Sequence, residues 1–237
     1  MRYTGLIDTA FDFLSDTPTG KDPDSHSPTL RRYHQQMWSK PLPNGAIFEL
    51  KAEQYLCYHD TEGPMYLSSD AITHSYKNTR KLQAVLRDSD QALIDNLFQA
   101  GCTFPAYTLF PAKQINRQMN INQARGVNPQ IKDRFDLTLE CIRRFYLGLA
   151  SPLDLVFSRY QRFFELFEDF DGYVDFFLLT PLVDSESGDV KFHLPFDDFK
   201  RSALPENSSE YAVYADNVLS FITKRGQLIQ QACKADE

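Results

Sequence analysis

The most unusual chemistry in the chain lies in Asn116-Arg117-Gln118-Met119-Asn120-Ile121-Asn122-Gln123-Ala124-Arg125-Gly126-Val127-Asn128-Pro129. This stretch is rich in amides and brings Arg125 and Gly126 to a point where Asn128-Pro129 reads as the start of a helix. A helix N-terminus presents free amides and a partial positive charge. A guanidinium offers an anion two parallel donors, and glycine lets backbone come close. Arg125 and Asn122, with Arg117 and Gly126, are therefore the candidates to hold a phosphate or carboxylate. The competing reading is structural, with Arg125 paired to Asp133, Asp136 or an acid of the second half.

A second constellation is Asp22-Pro23-Asp24-Ser25-His26, in a loop ahead of a helix carrying Arg31, Arg32, His34 and Trp38. Carboxylates and imidazoles this close are material for general acid–base work, because histidine titrates near neutrality. His34, His26 and Asp24 are the catalytic candidates, and Arg31 and Arg32 would neutralise a phosphate. Against this, Asp, Pro and Ser are ordinary turn formers, and packing alone accounts for a helical histidine.

Asp133, Asp136, Glu140 and Arg144 fall at helical spacing opposite an apolar stripe. Two carboxylates one turn apart suit a metal or divided acid and base roles. The favoured reading is a solvated face, with Glu140 and Arg144 an ordinary ion pair. Arg134 lies on the flank of the stripe, where a charge needs a partner. Ser68-Ser69-Asp70 reads as a cap rather than a nucleophile, and His193 as a strand histidine. No nucleophile elbow, zinc-binding His-Glu helix, phosphate loop or dinucleotide fingerprint is present.

The elements that must position these residues start at recognisable caps. Ser27-Pro28, Asn128-Pro129 and Ser151-Pro152 each set a capping side chain before a proline, and Asn207 with Glu210 resembles a capping box. They predict helices starting near residues 28, 129, 152 and 208. Ile131, Phe135, Leu139, Ile142, Tyr146 and Leu149 make one stripe, so the second of these helices reads as central. Gly172–Leu179 fits a helix or a strand. The last helix, about Ser209 to Cys233, carries Tyr211, Tyr214, Val218, Phe221, Ile222 and Ile229. Strands are expected at Ala46–Leu50, Gln54–His59, Pro64–Leu67, Phe104–Phe110 and Val190–Leu194, with a hairpin at Thr61-Glu62-Gly63 and a short helix over Ser89–Gln99. The order favours an α+β fold: one domain over residues 1–237, with a small, mostly antiparallel sheet from a strand-rich 1–112 packed on a helix-rich 128–237.

With 42% hydrophobic and 14% aromatic residues in 237, the chain has the composition of a globular protein. Its net charge of −7 argues against a general nucleic-acid binder. Charge is uneven, +4 over Lys113–Tyr146 and −8 over Phe164–Lys200. The aromatic run of that acidic segment, Phe163 to Phe177, therefore reads as core. Four scattered cysteines (Cys57, Cys102, Cys141, Cys233) form no close pair, which argues against structural zinc and for a reducing compartment. No apolar run is long enough for a membrane span, and the first residues lack a leader's pattern. The cytoplasm is the expected location, with no membrane partner.

Several blocks are similar to an uncharacterised bacterial family: Gly20-Lys21-Asp22-Pro23-Asp24, Ser27-Pro28-Thr29-Leu30 with Tyr33-His34, Trp38-Ser39-Lys40-Pro41-Leu42-Pro43, Ala124-Arg125-Gly126, the run Asp133 to Arg144, and Pro195-Phe196-Asp197-Asp198-Phe199. The resemblance spans about residues 11–199. It implies a bacterial origin and a single domain, and carries no activity or site residue. From the residues themselves, the leading expectation is a cleft for an anionic ligand, a nucleotide or the phosphate of a nucleic-acid end, with phosphoester chemistry if the protein is an enzyme. The alternative is a non-catalytic module that docks a protein partner or forms a homodimer. A setting in stress response or phage defence has no sequence feature behind it.

Overall fold

Ser27 caps a helix, as its place before Pro28 predicts. In the computed structural model, which describes residues 6–52 and 56–235, the Leu30 amide donates to the Ser27 hydroxyl at 3.0 Å. Asp16 reinforces that start by accepting from the Ser27 hydroxyl and the Thr29 amide. The helix so begun, α2 (Pro28–Trp38), follows a four-residue helix, α1 (Pro23–His26). Asn207 acts in the same way, accepting from the Glu210 amide at 2.9 Å to open the longest helix, α10 (Ser208–Ala235). Ser151 and Asp154 tie off the start of α7 (Asp154–Arg159), two residues past the expected point.

The sheet is antiparallel, in the order β1 (Lys51–Ala52), β2 (Leu56–Asp60), β3 (Gly63–Ala71), β4 (Tyr107–Pro111). Asp60 pairs with Gly63 across the Thr61-Glu62 turn, and Arg162 clamps that hairpin through Asp60 and the Gly63 carbonyl. Asp70 lies opposite Thr108, and Ser69 opposite Leu109. Because side chains alternate across a strand, these two pairs face opposite sides. Ser69 meets α2 through His34. Asp70 and Thr108 share the face of Phe110, which meets Arg125 and Phe163 of the second half, a half built of α5 (Ile121–Val127), α6 (Phe135–Tyr146), α8 (Gln161–Glu165) and α9 (Phe170–Phe176). One buried cluster runs from Ile7 to Ile229 through both halves, so the α+β single-core architecture holds. The aromatic run is core: Phe163, Phe164, Phe167, Tyr173 and Phe177 are all essentially inaccessible.

Four expectations about elements fail. Asn128-Pro129 opens only one turn. Lys132 and Asp133 then adopt left-handed backbone (φ 46° and 61°), and the central helix starts at Phe135, behind Arg134. Ala46–Leu50 is extended but joins the fold through one bridge, Pro41 to Ile47, and Val190–Leu194 likewise through Val183 to Val190. Phe104–Ala106 is a 3-10 turn, so β4 begins only at Tyr107. The ambiguous Gly172–Leu179 is mostly helix, the C-terminal part of α9. The part of the Gln54–His59 strand at residues 54–55 lies outside the described residues. Between the strands, α4 (Gln91–Ala100) is the short helix expected over Ser89–Gln99, and α3 (Gln83–Arg87) precedes it.

α10 is fastened to both halves by Arg225, fully buried in its interior. The guanidinium donates to the Phe177 carbonyl at 2.9 and 3.2 Å, and to the Pro105 and Tyr107 carbonyls at 2.8 Å each. Gly226 follows it, where a Cβ would meet the Pro105 ring at 3.2 Å, so α10 comes close only because that position is bare. Arg225→Met should leave these three carbonyls without that donor inside the core, at about 1–3 kcal/mol each. Urea unfolding should show a loss of at least about 3 kcal/mol. A loss below 1 kcal/mol would mean that the helix docks by apolar packing alone.

Candidate functional site

The site forms where β3 runs past its neighbour. Among the described residues β2 pairs with β3 as far as Leu67, whereas β4 follows it to Ala71. The Ile72 amide still points toward β4, donating to the Ala106 carbonyl at 2.8 Å. Backbone groups alternate in direction along a strand, so the Ala71 amide and carbonyl face the uncovered side. Helix α1 packs there. Asp24 and His74 both lie beside the Ala71 backbone, which favours the ionised carboxylate of the first and the protonated ring of the second. An acid and an imidazole from distant parts of the chain thus flank one peptide.

A cleft of about 480 Å³ opens beside them. Its polar lining includes Thr73, His74, Tyr76, Lys132 and Asp133, and its apolar walls include Leu97, Phe98, Cys102 and Leu204. That volume is in the range usual for small-molecule sites, roughly 300–1,000 Å³. α10 holds the His74 strap from behind, as Tyr214 donates to the His74 carbonyl and Tyr211 to the Ser75 carbonyl, both at 2.8 Å. Tyr76, itself left-handed (φ 56°), donates to the Lys132 carbonyl at 2.8 Å and fixes the opposite wall. Gly126 carries the Asp133 carboxylate against it, 3.2 Å from where a Cβ would stand.

Electrostatics set Asp24 and His74 apart. Burial, with Asp22 adding to it, pushes the Asp24 carboxyl up to about 8, although the Ala71 amide and Arg125 pull the other way. Burial holds His74 below the ordinary imidazole value, against the opposing pull of Asp133. Behind them Asp70 is fully buried and held well above the carboxylate range by burial. Near neutrality the site therefore presents a protonated acid and a neutral imidazole together. Among the described residues, no group of three His, Cys, Asp or Glu side chains could hold a metal ion.

The structure brings together three of the residues singled out from sequence: Asp24, Arg125 and Gly126. Arg125 is not at a helix N-terminus. It lies in the last turn of α5, fully buried, and the central helix starts six residues later than Asn128-Pro129 suggests. Asn122 is half-buried in the first turn of α5, and Arg117 is exposed in the loop before it. His34 leaves the catalytic set. It is enclosed in the core, with Trp38 Nε1 donating to its Nδ1 at 2.9 Å and its Nε2 at 2.8 Å from the Ser69 hydroxyl. Burial, with Arg225 adding to it, lowers its value to about 3. His26 is exposed at the end of α1, its Nδ1 3.1 Å from the Asp22 carbonyl. Arg31 and Arg32 lie on α2, with Arg32 over the Tyr33 ring, and neither is among the charges that act on Asp24.

The face with Asp136 and Glu140 is not solvated: both are buried in ion pairs. Arg134 finds its partner two residues on, meeting Asp136 at 2.5 and 3.1 Å, while the His193 amide donates to the same carboxylate. Glu140 accepts from Arg143 and Arg144. His193 packs on Tyr214, outside any sheet strand. Sequence reasoning passed over His74. The signal was present, since Ser69-Asp70-Ala71-Ile72-Thr73-His74 carries an acid and an imidazole beyond a strand whose neighbour is short.

Residues 7–229 match the model of a family of unknown function (DUF6994), and the chain belongs to that family. No curated protein and no solved structure matches it. Among the described residues, no helix is long and apolar enough to cross a membrane.

Asp24 gives a linkage test. Its folded value stands above its unfolded one, about 8 against 3.8, so its contribution is fully present below pH 4 and is lost as the pH rises through 8. Asp24→Asn stays neutral throughout. The variant should therefore gain on the wild type in melting temperature between pH 4 and 8, and hold a constant difference above that. A difference independent of pH would contradict a half-buried, protonated Asp24.

Proposed function

We propose that the chain binds a small organic ligand with an oxyanionic head, of the nucleotide or nucleic-acid-end type, in the cleft between His74 and Asp133. It cleaves an ester of that head by general acid–base catalysis, and phosphoesters are the class to assay first. The observation behind this reading is that Asp24 and His74 flank the Ala71 peptide, with their proton affinities displaced in opposite directions. Pairs of titratable groups pushed apart in this way are how a fold keeps an acid and a base at one pH.

In this reading His74 takes the proton of an attacking water as its oxygen bonds to phosphorus. Asp24 gives its proton to the leaving oxygen as the ester bond breaks. Asp133 stabilises the imidazolium that forms, and Arg125, behind the cleft, offsets charge developing on the head. The apolar walls around Phe98 and Leu97 receive the organic part.

Aryl phosphomonoesters and phosphodiesters, with 2′,3′-cyclic nucleotides, make the first panel. Turnover should form a plateau, falling at low pH as His74 is protonated and above about pH 8 as Asp24 ionises. Asp24→Asn and His74→Gln should each lower kcat by about 10²–10⁴-fold. Absence of turnover across the panel would refute the catalytic reading. A second reading, a docking or self-associating module, draws on Leu147, Leu149 and Leu155, each more than half exposed around the α6–α7 connection. Sedimentation over a range of concentrations would reveal self-association through that surface.

A further inference from the structure

Among the described residues three arginines are fully enclosed, and two of them are compensated. Arg134 has the Asp136 carboxylate, and Arg225 has four bonds to main-chain carbonyls. Arg125 has neither. Its Nε donates to the Thr138 hydroxyl at 3.0 Å and one Nη2 hydrogen reaches the Asp133 carbonyl at 3.4 Å. Its Nη1 has no partner, and among the described residues no carboxylate comes within ion-pair distance of it. A buried cation with neither counter-ion nor full hydrogen bonding is costly, and folded proteins seldom leave one so.

The surroundings of that free donor share the deficit. Asp70 Oδ1, Thr108 Oγ1 and the Tyr173 hydroxyl are also buried without a partner. Asp70 and Thr108 are direct cross-strand neighbours on β3 and β4, so their Cβ atoms stand about 5 Å apart on one face. Phe110 projects from that same face two residues on, and the Arg125 guanidinium lies 5.5 Å from its ring centroid, with Phe135 at 5.7 Å. Tyr173 comes from α9 above the face and feels the charge of both Arg125 and Asp70. Asp70, kept neutral by burial, donates where an ionised carboxylate would repel an anion. Four unmet polar groups and one uncompensated positive charge thus converge on one spot behind the cleft wall formed by Gly126 and Asp133.

We propose that Asp70, Thr108, Arg125 and Tyr173 form an internal oxyanion site that holds one phosphoryl group, either free phosphate or the head of the ligand in the cleft. This deepens the reading of the cleft by naming what receives the head. Its test measures binding apart from turnover. Thermal unfolding is followed with inorganic phosphate, with adenosine 5′-monophosphate, and with chloride at equal ionic strength. Near 100 times the dissociation constant the wild type should gain on the order of 5 °C over the chloride control.

Thr108→Val and Tyr173→Phe remove an unmet hydroxyl while keeping most of the shape. Each should melt at or above the wild type without phosphate, since an unsatisfied polar group has gone. Each should also lose at least half of the phosphate-induced shift. Arg125→Met should lose all of it; if that variant does not fold, the two hydroxyl variants decide. A shift with inorganic phosphate supports the free-ion form, and a shift with the monophosphate alone supports the head-group form. No shift with either, or an undiminished shift in both hydroxyl variants, overturns the proposal. Phosphate binding without turnover would refute the catalytic reading and leave this site standing.

Discussion

The fold depends on how one cation is buried. Among the described residues Arg225, inside α10, has no carboxylate partner and binds the carbonyls of Phe177, Pro105 and Tyr107 instead. Those carbonyls belong to the end of α9, the 3-10 turn before β4 and the first residue of β4, so one side chain links the helical half to the sheet. The cost of desolvating a guanidinium is met by four bonds in a region of low dielectric, where each is strong. Burial still lowers its value to about 9. The bare position at Gly226 is part of the same device. A glycine inside a helix costs roughly 0.5–1 kcal/mol against alanine, and here it admits the Pro105 ring.

The candidate site inherits its geometry from that docking. Tyr211 and Tyr214 precede Arg225 on α10 and reach the carbonyls of Ser75 and His74. With α10 fixed at Arg225, these hydroxyls have little freedom, and the strap they hold places His74 beside the Ala71 backbone. The other partner on that peptide arrives by a local route. α1 has four residues and no buried side chain of its own, so it has little to hold it in isolation. It is placed by the Asp16–Ser27 bonds behind it and by the uncovered β3 edge beneath it. The acid of the site therefore rides on the least self-sufficient helix, and the imidazole hangs from the longest.

Local chemistry was legible in the sequence and long-range compensation was not. Ser27 and Asn207 were readable as caps because a capping side chain needs only its own next three residues. Asn128-Pro129 has the same signature, yet its helix ends after one turn, since left-handed Lys132 and Asp133 are dictated by Tyr76 and by packing from elsewhere. Sheet edges were misjudged for a similar reason: Ala46–Leu50 and Val190–Leu194 look like strands, but each meets its neighbour through a single bridge and joins no sheet. The buried ion pairs on α6 lie beyond periodicity, which sees Asp136 and Glu140 on the face away from the stripe. His193 and Ala203, from another segment, cover that face. His34 carried a usable clue, because Leu30, His34 and Trp38 share one helical stripe and a histidine there packs.

Left-handed backbone at Lys132 and Asp133 shows where the chain accepts local cost for placement. Each such non-glycine residue is disfavoured by about 1–2 kcal/mol. Three bonds hold the turn: Lys132 to the Asn128 carbonyl at 2.9 Å, Asp133 to the Arg125 carbonyl at 3.3 Å, and Tyr76 to the Lys132 carbonyl at 2.8 Å. The turn folds the chain back on itself between α5 and α6, and this sets the Asp133 carboxylate on Gly126 and the Asp133 carbonyl on the Arg125 guanidinium. An uninterrupted helix from residue 129 would have carried Asp133 away on a regular face, with no reason for Gly126 to be bare. Strain of this kind persists where the surroundings over-determine it, and it clusters at sites that act on ligands. Here it coincides with a protonated acid, a neutral imidazole and an uncompensated arginine, so the same few residues account for the local cost and the available chemistry.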